Sequence, residues 1–106
     1  MLDTTFSALA DPTRRAIVSR LRVEDALNVT DVAKPFAMSL PAVIKHLNVL
    51  ADAGLVQRTR SGRTVTCRLV REPLEEAMFW LDRHARFWSA RLDNLAAVAE
   101  ADHVER

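Results

Sequence analysis

Residues 38–56 read MSLPAVIKHLNVLADAGLV, Met38 to Val56, a helix signalled at both ends. Ser39 is a good N-cap, because its hydroxyl can accept one of the amide hydrogens that the first turn leaves unpaired. Pro41 falls in the first turn, where a missing N–H costs nothing. Gly54 suits the left-handed residue that closes a helix. The spacing therefore predicts a helix over 40–53. Leu40, Val43, Ile44, Leu47, Leu50 and Ala51 recur at intervals of three and four, the apolar stripe of a helix packed on one side. Ile44 lies at the stripe's edge and fits either a core or an outward-facing position. The outer face carries Lys45, His46 and Asn48 rather than a solubilising mixture of acids and bases. The question is what that face touches.

The flanking segments limit the answer. Upstream, Asp3 can cap a short first helix that carries Phe6 and Leu9. DPTRRAIVSRL supplies an N-cap at Asp11, a proline at the first helical position, and Ala16, Ile17 and Leu21 on one face. VEDALN reads as a loop. Thr30 can cap a brief helix through Asp31, Val32 and Ala33, which Pro35 should end by biasing Lys34 away from helix. Downstream, LVQRTRSGRTVTCRLV changes period. Val65, Cys67 and Leu69 alternate with Thr64, Thr66 and Arg68, and Gly62 lies between two such runs, which predicts a β-hairpin. Glu72-Pro73 breaks the chain again. From Leu74 to about Ala101 one long helix carries Leu74, Met78, Leu81, Ala85, Trp88, Leu92, Leu95 and Ala99, an a/d seam over nearly four heptads. Phe79, Trp80 and Phe87 lie off that seam.

Composition sets the class. The chain has 106 residues, 49% of them apolar, with 2 Gly and 4 Pro. That suits a single domain with a modest core and few linkers. No apolar run is long enough to span a membrane, and MLDTTFSALA lacks the basic-then-apolar pattern of a secretory signal. One cysteine cannot form an internal disulfide, which fits a reducing cytoplasm. Charge is uneven. Residues 1–71 hold 11 Lys/Arg against 6 Asp/Glu, whereas residues 72–106 hold 4 Arg against 8 Asp/Glu. A basic body with an acidic helical tail suits a polyanionic partner met by the body.

Two short helices, a sharp break, a capped helix and a basic hairpin together form the helix-turn-helix with a β-wing. A helix fits the major groove of B-DNA, and small residues at its start let it approach base edges. Ser39, Pro41 and Ala42 are such residues, with the donors Lys45 and His46 one turn further in. The hairpin carries Arg58, Arg60 and Arg63, suited to phosphate contact or a narrow minor groove. The fold expected is mainly α with a β-hairpin wing, dimerising through its terminal helices. Its parts are a single domain over 1–106, with dimerisation helices at 1–10 and 74–102, a helical core at 12–53 containing the helix-turn-helix at 30–53, and the wing at 55–70. A long helix with a full seam and extra aromatics exceeds what so small a domain can cover. A two-fold homodimer through Phe6, Leu74, Met78, Leu81, Trp88, Leu92 and Leu95 is therefore expected.

FSALADPTRRAIVSRL, VTDVAKPFAMSLPAVIKHLNVLADAGLV and RSGRTVTCRLV, across residues 6–70, resemble the ArsR-type family of winged helix-turn-helix repressors. The resemblance implies a dimeric, cytoplasmic repressor that binds double-stranded DNA at a short palindrome. By position, it implies Ser39, Pro41, Ala42, Lys45 and His46 as groove residues and Arg60 and Arg63 as the wing. The family often has a small polar residue where this chain has Ile44. The family's metal sites do not carry over. One uses paired cysteines before the recognition helix, where this chain reads VTDVAKP. Another uses Asp-x-His followed three turns later by a histidine and an acid. Asp82-Arg83-His84 supplies the first half, but Leu95 and Val98 stand at the second, and two ligands do not make a tetrahedral zinc site. No metal or cofactor is expected, and His84 and His103 read as surface or structural residues.

Cys67 alternates with inward-facing residues and reads as a buried apolar group rather than a redox sensor. Trp80, Phe87 and Trp88 read as packing residues rather than the lining of an effector pocket, and the effector remains unknown. No phosphate loop, paired-carboxylate site or supported nucleophile appears, so an enzyme is not expected. The function expected is a sequence-specific DNA-binding regulator that acts as a dimeric repressor. The alternative is a protein-interaction module that keeps the winged scaffold without binding DNA.

Overall fold

Asp11 and Pro12 join the first two helices as the sequence suggests. The computed structural model describes residues 2–104, with side chains followed to residue 99. Helix α1 (Leu2–Ala8) leads to helix α2 (Pro12–Glu24). The Asp11 carboxylate accepts the Arg14 amide at 3.0 Å, and Pro12 lies in the first turn. Asp3 does not cap α1. It sits within the first turn, where its charge favours the positive end of the helix dipole, and Leu9 lies beyond the helix. Ile17 and Leu21 of α2 are fully buried.

The donated amide of Arg14 holds the Asp11 carboxyl below its ordinary range, with the charges of His46 and Arg14 acting in the same direction. A lowered folded-state value means that the cap stabilises the protein above the ordinary carboxylate pKa of about 3.9. That contribution is lost as pH falls through the lowered value. Asp11→Ala should therefore lower the thermal midpoint at neutral pH by a few degrees and remove part of the acid dependence below about pH 4. Thermal unfolding followed by circular dichroism at pH 7 and pH 3 checks this. An unchanged midpoint at pH 7 would contradict it.

VEDALN is not a simple loop. Helix α2 runs to Glu24, and Asp25 turns the chain at φ 65°, ψ −56°, near the rare γ-turn conformation. Strand β1 (Ala26–Asn28) follows. It pairs antiparallel with the hairpin's second strand, placing Leu27 opposite Cys67. Helix α3 (Val29–Ala33) is capped by Asn28 rather than Thr30. The Asn28 Oδ1 accepts the Asp31 amide and the Thr30 hydroxyl, both at 2.8 Å. Helix α3 ends before Pro35, as the ring requires.

Helix α4 (Leu40–Asp52) is capped by Ser39, whose Oγ accepts the Ala42 amide at 3.3 Å. At its end Gly54 adopts φ 76°. Its amide donates to Ala51 at 3.0 Å and the Leu55 amide donates to Leu50 at 2.9 Å, the paired bonds of a Schellman end. Leu50 and Leu55 are both fully buried, supplying the apolar contact that accompanies this motif. The stripe is narrower than the sequence implies. Val43, Leu47 and Leu50 are buried, whereas Leu40 and Ile44 are 41% and 37% exposed.

Strands β2 (Val56–Ser61) and β3 (Thr64–Leu69) form the hairpin, and the sheet order is β1-β3-β2. Ser61 pairs with Thr64 across Gly62 and Arg63. Glycine is needed at the first of these two turn positions, where φ is 62°, as in a two-residue hairpin turn that matches the strand twist. Cys67 is fully buried between its two neighbouring strands. Burial pushes its thiol pKa up, with Arg58 opposing in part.

Glu72-Pro73 does not interrupt the chain. It forms the start of helix α5 (Glu72–Val104), since proline is tolerated in a first turn. Ala77 is buried and Leu74 packs against the core. Trp80 meets Phe6 of α1 edge-on at 5.8 Å and stacks on His84 at 4.0 Å. From Met78 to Ala99 every residue is exposed. A 33-residue helix is about 50 Å long. The molecule accordingly measures 73 × 27 × 22 Å, with a radius of gyration of 19.9 Å. A compact domain of this length would have about 13 Å. Phe87 and Trp88 are not core residues. They lie half-exposed on α5, edge to face at 5.6 Å. No described helix is long and apolar enough to cross a membrane.

Candidate nucleic-acid interface

The helix-turn-helix is α3, the turn over 34–39, and α4. The outer face of α4 places Pro41, Lys45, Asn48 and Asp52 in one exposed stripe, because these positions recur at helical spacing. Ser39 stands at the N-terminal end of that stripe, where its cap fixes the helix start, and Ala42 is half-buried beside it. Lys45 makes no hydrogen bond or ion pair among the described residues, so its ammonium is available to an anion.

His46 is placed differently. Its ring lies on the flank of α4 that faces the start of α2, with a side chain only 22% exposed. Nδ1 lies 3.3 Å from the Arg14 guanidinium and 3.8 Å from the Asp11 carboxylate. Arginine can only donate, so with the ring neutral Nδ1 accepts and Nε2 carries the proton. Arg14 also donates to the carbonyls of Ala8, at 2.6 Å, and Ser7, at 3.3 Å. One guanidinium thus ties the end of α1 to the flank of α4. His46 belongs to that joint.

Two other arginines of α2 are similarly engaged. Arg15 donates to the Leu9 carbonyl at 2.8 Å, and Arg20 donates to Asp31 and Val32 at 2.8 and 2.9 Å. These charges satisfy carbonyls at helix ends. The basic excess in the sequence is therefore partly structural.

The wing carries Arg58, Arg60 and Arg63. Arg58, at the foot of β2, donates to Asn48 Oδ1, which anchors its guanidinium against α4. Arg60 donates through Nε to the Gly62 carbonyl at 3.3 Å, and Arg63 occupies the turn itself. Lys45 and Arg58 thus share one side of the molecule with the hairpin tip. Asn48 was not among the groove residues expected from sequence, although it follows Lys45 by three positions on the same stripe. Its bond to Arg58 depends on strand placement, which local spacing does not reveal.

Helix α5 presents Met78, Leu81, Trp88, Leu92 and Leu95, all exposed. Leu74 is partly covered by the core, and Phe6 is turned toward Trp80. Off the seam, Arg83 lies over Phe79 at 5.6 Å and Arg91 over Phe87 at 4.6 Å. His84 Nδ1 is 2.8 Å from the Trp80 carbonyl, an acceptor that requires the ring to donate. Among the described residues no group of three or more His, Cys, Asp or Glu side chains is gathered as a metal site would need.

Fold and face together are those of a winged helix-turn-helix protein. A family described as a helix-turn-helix domain matches residues 9–59. The chain is 31% identical over 80 residues to the transcriptional repressor SdpR of Bacillus subtilis (strain 168), covering 76% of this chain and 88% of that protein. It is 37% identical over 100 residues to the HTH-type transcriptional regulator Rv2034 of Mycobacterium tuberculosis (strain ATCC 25618 / H37Rv), covering 94% and 90%. The crystal structure of an ArsR family transcriptional regulator, RHA00566, matches with a TM-score of 0.76 and 40% identity, over 83% of this chain and 90% of that one. The chain belongs to the ArsR family of transcriptional regulators.

Proposed function

We propose that the protein is a cytoplasmic homodimeric repressor that binds a palindromic operator in double-stranded DNA, with one α4 in each of two successive major grooves and no resident metal. The observation that carries this reading is the exposed stripe of α4, where Lys45 and the Asn48-anchored Arg58 lie beside the wing arginines. The exposed α5 seam supports the dimer, since an unpaired apolar stripe of this length is costly in water. A two-fold axis through that seam suits half-sites about 34 Å apart, one turn of DNA. The acidic composition of α5 keeps the dimer axis away from phosphates. Metal independence rests on the residue types: no thiol on α3, and Leu95 and Val98 where the α5 site would need ligands.

Salt dependence tests the reading without knowledge of the operator. Binding to a generic duplex releases counterions in proportion to the phosphates neutralised. Arg60→Ala with Arg63→Ala should reduce the slope of log affinity against log salt by about 2 per protomer. An unchanged slope would remove the wing from the interface. No binding by the wild type at low salt would contradict the DNA reading and favour an interaction module.

A further inference from the structure

Leu40 and Ile44 stand out as branched aliphatic side chains left in water on a helix whose exposed stripe is otherwise Pro41, Lys45, Asn48 and Asp52. They are one turn apart on the flank of α4 that faces the hairpin. With Val65 of β3 they line an open cleft of about 280 Å³, bordered by Asn28, Arg63 and Thr64. Burial of core does not explain them, because both retain more than a third of their surface.

We propose that Ile44, supported by Leu40, receives a thymine C5-methyl group and so reads sequence on the wing side of each half-site. The inference rests on α4 being the groove helix. Among the bases of B-DNA, thymine alone offers an aliphatic group in the major groove, and apolar side chains discriminate it by contact. Charge selects this flank. The cleft beside Ile44 has Arg63 on its border, which can hold the phosphate of the strand whose base enters. The other flank of α4 also exposes an aliphatic residue, Val49, but its cleft is lined by Asp3 and Asp52, which repel phosphate. Ile44 therefore faces DNA and Val49 does not.

The test replaces thymine by deoxyuridine, one position at a time, in a duplex selected by the full-length protein from a random pool. This removes one methyl and leaves pairing unchanged. The wild type should lose about fourfold in affinity at one position per half-site, the value of one buried methyl. Ile44→Ala should bind thymine and uracil duplexes equally at that position. Since Ile44 is exposed, this variant keeps its core. A wild type indifferent to uracil everywhere, or an Ile44→Ala variant that keeps the full penalty, would overturn the methyl reading while leaving the groove helix in place. Failure of the wild type to bind any duplex would overturn both.

Discussion

Trp88→Glu combined with Leu92→Glu yields a monomer and lowers affinity for a palindromic duplex by about 10²- to 10⁴-fold. Both side chains lie on the a/d seam of α5 and are 57% and 61% exposed in the single chain. Neither contributes to the winged core, which is built from Ile17, Leu21, Val43, Leu47, Leu50 and Leu55. Four added carboxylates at a two-fold axis oppose association by like charge and by desolvation. The effect on DNA follows from geometry. A dimer presents its second α4 to the second half-site at high effective concentration, which commonly adds 10² to 10⁴ in avidity. Sedimentation velocity gives the state of the protein and fluorescence anisotropy its affinity. A dimer that persists in the variant would place the interface elsewhere.

The second large effect is on the face itself. Lys45→Ala with Arg58→Ala should weaken binding to the preferred sequence roughly 100-fold, from two contacts of ordinary strength. Both side chains are exposed, and Asn48 can turn its freed oxygen to water, so the thermal midpoint should stay near that of the wild type. His46→Ala offers a contrast. It removes an acceptor from Arg14 and loosens the α1–α2–α4 joint, so its main effect should be on stability. Full affinity in the Lys45/Arg58 variant would sink the assignment of this stripe to the groove.

Local chemistry made much of the fold legible. Asp11 with Pro12, and Ser39 with Pro41 and Gly54, specify helix ends through groups a few residues apart, and all five behave as their types suggest. The hairpin was legible for the same reason, since Gly62 and the alternation around Cys67 are local. What escaped depended on distant partners. Strand β1 is only three residues long, and its extended form comes from pairing Leu27 with Cys67, forty positions away. Asn28 and Thr30 are both capping types, and only the helix start decides between them. Leu40 and Ile44 fit the helical period of a core stripe, but α4 is covered over a narrower arc than that period allows. His46 has the composition of a groove donor, yet Asp11 and Arg14 hold its ring on the flank. Arg58 and Asn48 meet across two elements, so neither residue signals the other in sequence.

The most direct measurement is selection of the wild-type protein on a randomised duplex pool at about physiological salt, with sequencing of the bound fraction. The account predicts an enriched palindrome whose half-sites lie about one helical turn apart. An enriched site without two-fold symmetry, or binding without any enriched sequence, would contradict the dimeric operator-binding repressor.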